Sequence, residues 1–164
     1  MTNQTNKALI SSYFQPYSYV RKLLPILEGV TKAKVIGMMT AIWEQTGTPQ
    51  NPLDWSDPDT WISERLTGED VEMARSIWER SQKTVNPRYV SDSYRFIDNC
   101  ELLIPDNTGI YRLTERGKGF LDNDPKIIRE IDDSEGLLYL LSILAAKTRA
   151  KRNDPLPEWE AFLI

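Results

Sequence analysis

The chain has 164 residues, with 20 Lys+Arg against 24 Asp+Glu, no His, one Cys, and 40% hydrophobic residues that include five Trp. This length suits a single domain with enough apolar material to close a core, and the missing histidine excludes Ser-His-Asp or Cys-His catalysis and any histidine-held metal. Cys100 alone makes neither an internal disulfide nor a thiolate zinc site, and a net charge of −4 argues against indiscriminate polyanion binding while leaving room for a local basic face.

The opening MTNQTNKALISS has neither a long apolar core nor a small-residue cleavage site, so it does not read as a secretory signal. The longest apolar run, 137–146, is interrupted by Ser142 and is too short to cross a bilayer. A cytoplasmic protein without membrane contact is the expectation.

Residues 1–15 are polar and aperiodic, a flexible lead-in. From Tyr17, the apolar positions Val20, Leu23, Leu24 and Leu27 recur at helical spacing. Pro25 is expected to kink or shorten that helix, and Gly29 closes it. Thr31 can cap a second helix whose core face is Val35, Met38, Met39, Ile42 and Trp43. The stretch 48–56 (TPQNPLDWS) reads as an ordered loop pinned by Leu53 and Trp55. Core burial of Trp55 is favoured there over stacking on a nucleobase.

Asp57-Pro58 starts a short helix carrying Trp61, Ile62 and Leu66. Thr67 with Asp70 resembles a capping box, opening a helix with Met73, Ala74, Ile77 and Trp78 on one side. Asn86-Pro87 opens a helix to about Asn99, on which Tyr89, Ser93, Phe96 and Cys100 are expected to pack inward beside Val90 and Ile97. Then the period changes. Two short runs, 101–104 and 110–113, flank the turn residues PDNTG and predict a hairpin. Helices follow from Thr114, from Asp124-Pro125 with Ile127, Ile128 and Ile131, and from Ser134 to about Ala150.

The fold class expected from this order is mainly α with a small β-hairpin: a winged helix-turn-helix domain with additional C-terminal helices. In that design the helix before the hairpin enters the DNA major groove, and the hairpin is the wing. The organisation is read as a lead-in (1–15), a winged-helix DNA-binding domain (16–135), a C-terminal helix (136–152) and a linker toward a downstream domain (153–164).

Catalytic and metal-ligating residues are not found. The acidic pairs Asp57/Asp59, Glu69/Asp70/Glu72 and Asp132/Asp133 fall at helix starts, where the helix dipole favours carboxylates. Asp124-Pro125-Lys126 has nuclease-like spacing but sits in a helix entry. No Gly-rich phosphate loop occurs, and no cofactor is expected.

Residues 57–81 hold seven acids and three bases, a face that repels nucleic acid. The candidate DNA contacts lie beyond it. Lys83, Arg88, Ser91, Asp92 and Arg95 are on or just before the presumed recognition helix, since Arg can bridge guanine edges or phosphate and Ser can bond either. Asn107, Thr108 and Arg112 are on the wing, followed by Arg116 and Lys118. A second basic cluster, Lys147, Arg149, Lys151 and Arg152, ends the last helix, as the dipole also explains.

The strings YVRKLLPIL, IWEQTGTPQNPLDWSDPDTWISERL, ARSIWERS, NPRYV, FIDNCELL and GIYRLTERGKGFL resemble the N-terminal region of Mrr-type restriction endonucleases, over about residues 17–135. NPLDWSDPDTWI is the distinctive part, whereas YRLTERG is common among winged-helix proteins. The resemblance implies a recognition module in a restriction-modification system, positioning a separate nuclease domain on double-stranded DNA, modified or not. The nuclease carboxylates and lysine of that family are not in this chain, so no enzymatic activity is expected of it alone. Its expected partners are double-stranded DNA, a downstream nuclease domain and, as a further option, a second copy of the chain. The alternative is a protein-interaction module without a DNA role, which assembles through the apolar C-terminal helix and the tail PLPEWEAFLI.

Overall fold

The computed structural model describes residues 16–135. Pro16–Asp122 forms one compact unit, and the described residues from Asn123 onward belong to a second. The first unit is mainly helical with one small antiparallel hairpin.

Helix α1 spans Tyr17–Leu27 and buries Val20, Leu23, Leu24, Ile26 and Leu27. Pro25 lies inside it without ending it. A proline ring removes one backbone donor, and separately the carbonyls in the last turn of a helix have no partner within it and must be satisfied elsewhere. Arg80 supplies the donors, bonding the carbonyl oxygens of Pro25 at 2.8 Å and Ile26 at 3.2 Å.

Helix α2 spans Lys32–Trp43, with the Thr31 hydroxyl accepting from the Lys34 N–H. Its core stripe is Val35, Met38 and Ile42, spaced three and four apart. Trp43 departs from expectation and is 67% exposed. One residue past Ile42 is a rotation of about 100° around the helix, which carries Trp43 off the face packed on the neighbouring helix.

Helix α3 spans Pro58–Arg65 and α4 spans Gly68–Arg80. The expected capping box at Thr67 is not formed, because the Thr67 side chain makes no capping hydrogen bond. Thr67 itself is extended, as a capping box requires, but Gly68 after it takes the left-handed region (φ 58°) in place of the helical conformation that normally follows the cap. Helix α4 packs mainly on α2, and also on α3 and α1.

The expected single helix 87–99 is two pieces: a 3₁₀ turn, Pro87–Tyr89, and α5, Val90–Asn99. Asn86 caps the turn through its Oδ1, 3.0 Å from the Arg88 N–H. A 3₁₀ turn advances about 120° per residue rather than 100°, so side chains before Val90 fall out of phase with those after it. Tyr89 accordingly points outward, 65% exposed, while Val90, Ser93, Phe96, Ile97 and Cys100 are buried. Helix α5 packs on α1, where Phe96 meets Tyr17 at 5.5 Å between ring centroids.

Strands β1 (Leu103–Pro105) and β2 (Tyr111–Leu113) pair antiparallel, with Leu103 opposite Leu113 and Pro105 opposite Tyr111. Pro105, expected in the turn, is therefore the last strand residue. The sequence reading missed a third participant. Residues 29–32, between α1 and α2, run alongside β2, with Tyr111 N–H to Val30 oxygen at 2.9 Å and Lys32 N–H to Gly109 oxygen at 2.8 Å. Helix α6 (Glu115–Leu121), capped by Thr114 on the Gly117 N–H at 2.9 Å, closes the unit with Phe120 buried. In the second unit, residues 125–135 are helical, and Asp124 Oδ1 accepts from the Lys126 N–H. The expected helix to Ala150, the basic cluster 147–152 and the tail lie outside the described residues.

Candidate nucleic-acid interface

Helix α5 and the hairpin carry most of the candidate residues. Ser91 and Arg95 share the outer face of α5 with Tyr94 and Asp98. Across from them α2 presents Ile36, Met39, Thr40, Trp43 and Glu44, and together they line a shallow groove of about 450 Å³. Asp92 is half-buried in the first turn of α5. Tyr94 is fixed by its hydroxyl, 2.5 Å from that of the buried Tyr111 on β2. Burial first, then that hydrogen bond, pushes the Tyr111 phenol far above its ordinary range. Lys32, at the start of α2, pairs with Asp98 at 3.4 Å.

Arg88 is not on that face. The 3₁₀ turn sends its guanidinium over the Trp55 ring, 4.8 Å from the centroid. Arg65, at the end of α3, lies over the same ring at 4.7 Å. Trp55 is half-buried, packed edge-on against Trp61 at 5.1 Å. Its carbonyl oxygen accepts from Asn86 Nδ2 at 2.7 Å and Trp61 Nε1 at 3.2 Å.

Several of the expected cations are already engaged. Lys83 pairs with Asp59 at 2.8 Å. The Lys83 ammonium and the Trp78 N–H hold the Asp59 carboxyl below the usual carboxylate range, and Asp59 in turn raises Lys83. Lys118 pairs with Glu115 at 2.6 Å, which raises its ammonium as well. Such surface pairs contribute little to stability and are screened by salt, yet a phosphate must displace the carboxylate to use the cation.

The hairpin turn is organised by Asp106. Its Oδ1 accepts from the Thr108 N–H at 2.9 Å, the Thr108 hydroxyl at 2.6 Å and the Ile110 N–H at 3.1 Å. Its Oδ2 accepts from Arg112 Nε at 2.9 Å. The Thr108 hydroxyl and Arg112 hold the Asp106 carboxyl far below the usual range. Gly109 completes the turn at φ 80°, and Asn107 stands exposed at the tip. Arg116, half-buried on α6, has its Nε shut off from solvent without an acceptor.

The structure thus brings Ser91 and Arg95 together on α5 and gathers Asn107, Thr108 and Arg112 on the hairpin. It sets Arg88 beside Trp55 and Lys83 against the acidic α3. The sequence reading missed Arg65, Tyr94 and the outward Ile36 and Trp43. Heptad-like spacing of Ile36 and Trp43 on α2 was the available signal, but it equally describes a core stripe.

Among the described residues no helix is long and apolar enough to cross a membrane, and no group of three or more His, Cys, Asp or Glu side chains is placed to hold a metal ion. No protein-family model, curated protein or solved structure matches this chain.

Proposed function

We propose that the chain is a DNA-binding module of winged-helix type, acting as the recognition part of an Mrr-like restriction endonuclease and working by binding alone. Double-stranded DNA, modified or unmodified, is its ligand, and a separate nuclease domain does the cutting in the cytoplasm. The observation that carries this reading is the pairing of residues 29–32 with β2. That pairing ties the segment between the first two helices to a hairpin directly following α5, the order and connectivity expected of a wing. Ser91 and Arg95 on the outer face of α5 sample base edges, whereas Arg88, Arg112, Arg116 and Lys118 bind phosphates. Asn107 and Thr108, at the wing tip, contact the DNA backbone in this reading.

The protein-interaction reading has one supporting observation, the outward Trp43 and Ile36 beside α5. Exposed aromatic side chains with an adaptable rim are common at protein interfaces. A salt series of duplex-binding isotherms separates the two. DNA binding through phosphates loses affinity steeply as salt rises, by about 0.9 in log–log slope per contact. Arg95→Ala should cost about 1–3 kcal/mol and relax sequence preference, whereas Arg112→Ala should weaken all duplexes alike. Duplex affinity that is absent, or that is unchanged in both variants, would refute the DNA reading.

A further inference from the structure

Trp55, Arg65 and Arg88 come from three different elements, the loop before α3, the end of α3 and the 3₁₀ turn, and they meet at one indole ring. From their distances to the ring centroid, 4.7 and 4.8 Å, the two guanidinium carbons are within about 10 Å of each other. Two like charges at that separation repel, and among the described residues neither takes part in an ion pair. The Asp54 carboxylate lies within electrostatic reach of Arg65 and also accepts from the Ser56 N–H at 2.8 Å.

A guanidinium lying over a ring uses its face and keeps its edge N–H donors for a planar or tetrahedral oxyanion. The stacking also fixes the side chain before any ligand arrives, which lowers the ordering cost of binding. Arg65 is in addition partly dehydrated: its Nη1 is shut off from solvent without an acceptor, which leaves Nε and Nη2 as the donors a ligand could reach. A charge-assisted bond to such a group is stronger than one to a hydrated cation.

We infer that Arg65 and Arg88, held on Trp55, form a second phosphodiester-binding site that extends the DNA contact from α5 to the end of α3. The inference rests on the DNA reading above and adds to it a residue, Arg65, that belongs to neither the recognition helix nor the wing. Because it touches backbone and not base edges, the site contributes affinity without sequence preference.

The test measures duplex affinity and its salt dependence for the parent, Arg65→Gln, Arg65→Lys and, as a control on α4, Arg75→Gln. Nuclear magnetic resonance of the parent follows the Trp55 indole and Arg65 Nε–H signals as duplex or inorganic phosphate is added. We expect Arg65→Gln to bind all sequences about tenfold more weakly, with a slope lower by about 0.9. Arg65→Lys should keep the slope and lose part of the affinity, and Arg75→Gln should match the parent. The Trp55 and Arg65 signals should move with duplex and far less with free phosphate. If duplex binds while these signals stay in place, or if Arg65→Gln matches the parent while Arg95→Ala is weak, the site is wrong and the DNA reading stands. Equal shifts with free phosphate at matched charge would make it a small-anion site and overturn the phosphodiester assignment. A parent that binds no duplex overturns both.

Discussion

Gly117→Ala is a substitution for which helix propensity and packing predict opposite signs. Gly117 lies within α6, and alanine in a helix interior is favoured over glycine by about 0.8–1 kcal/mol. Its backbone, however, sits directly on the base of the hairpin. A Cβ there would overlap the Leu102 carbonyl oxygen and stand 2.8 Å from Leu113 Cδ1. The leucine side chain can rotate away. The carbonyl cannot, because it accepts from the Thr114 N–H at 3.2 Å and the Thr114 hydroxyl at 3.2 Å, the contacts that join the residue before β1 to the cap of α6. Overpacking costs about 1–3 kcal/mol, occasionally more, and an overlap with backbone that cannot move belongs at the top of that range, so after the propensity gain of about 1 kcal/mol the variant should lose about 2 kcal/mol. For a unit of this size that is a fall in Tm of roughly 4–12 °C.

Gly37→Ala is the matched control. It also lies inside a helix, α2, but its added Cβ would meet only Asp70 Oδ1 at 3.4 Å, an ordinary contact. It should gain up to about 1 kcal/mol. Urea and thermal unfolding followed by circular dichroism measure both. A Gly117→Ala protein as stable as the parent, or one shifted in the same direction as Gly37→Ala, would refute the close seating of α6 on the hairpin.

Trp61→Ala should cost about 3–5 kcal/mol because Trp61 is fully buried, whereas Trp43→Ser should stay within about 0.5 kcal/mol; equal losses in denaturant titrations would show that Trp43 is a core residue. Glu101, left-handed at φ 53° just past α5, should yield a protein about 0.5–1 kcal/mol more stable when replaced by Gly, a conformation that glycine adopts without strain; a lower denaturation midpoint would contradict it. The Asp106 carboxyl is held below its ordinary value in the folded state, so its contribution is complete above about pH 4 and fades as the pH falls further. Asp106→Asn should therefore flatten the acid limb of the stability profile, and an unchanged limb in a pH series of unfolding curves would exclude this role.

The elements themselves were legible in the sequence. Apolar residues three and four apart marked α1, α2 and α4, Thr114 marked a true helix entry, Asn86-Pro87 marked the start of the turn that leads into α5, and the change of period after Asn99 marked the hairpin. These are local signals, written in the order of neighbouring residues, and local physics acts on them directly. The candidate DNA residues were also legible as types, because charge and hydrogen-bonding capacity belong to the side chain. Their arrangement was decided by tertiary structure. The 3₁₀ turn at Pro87–Tyr89 shifted the helical phase, exposing Tyr89 and sending Arg88 to Trp55. The pairing of residues 29–32 with β2 joined segments about eighty residues apart, and Asp59 reached Lys83 across two helices. Partners separated by that much chain leave no periodicity to read. Which face of a helix is inside, and which cation remains available to an anion, depend on what the rest of the chain brings against it.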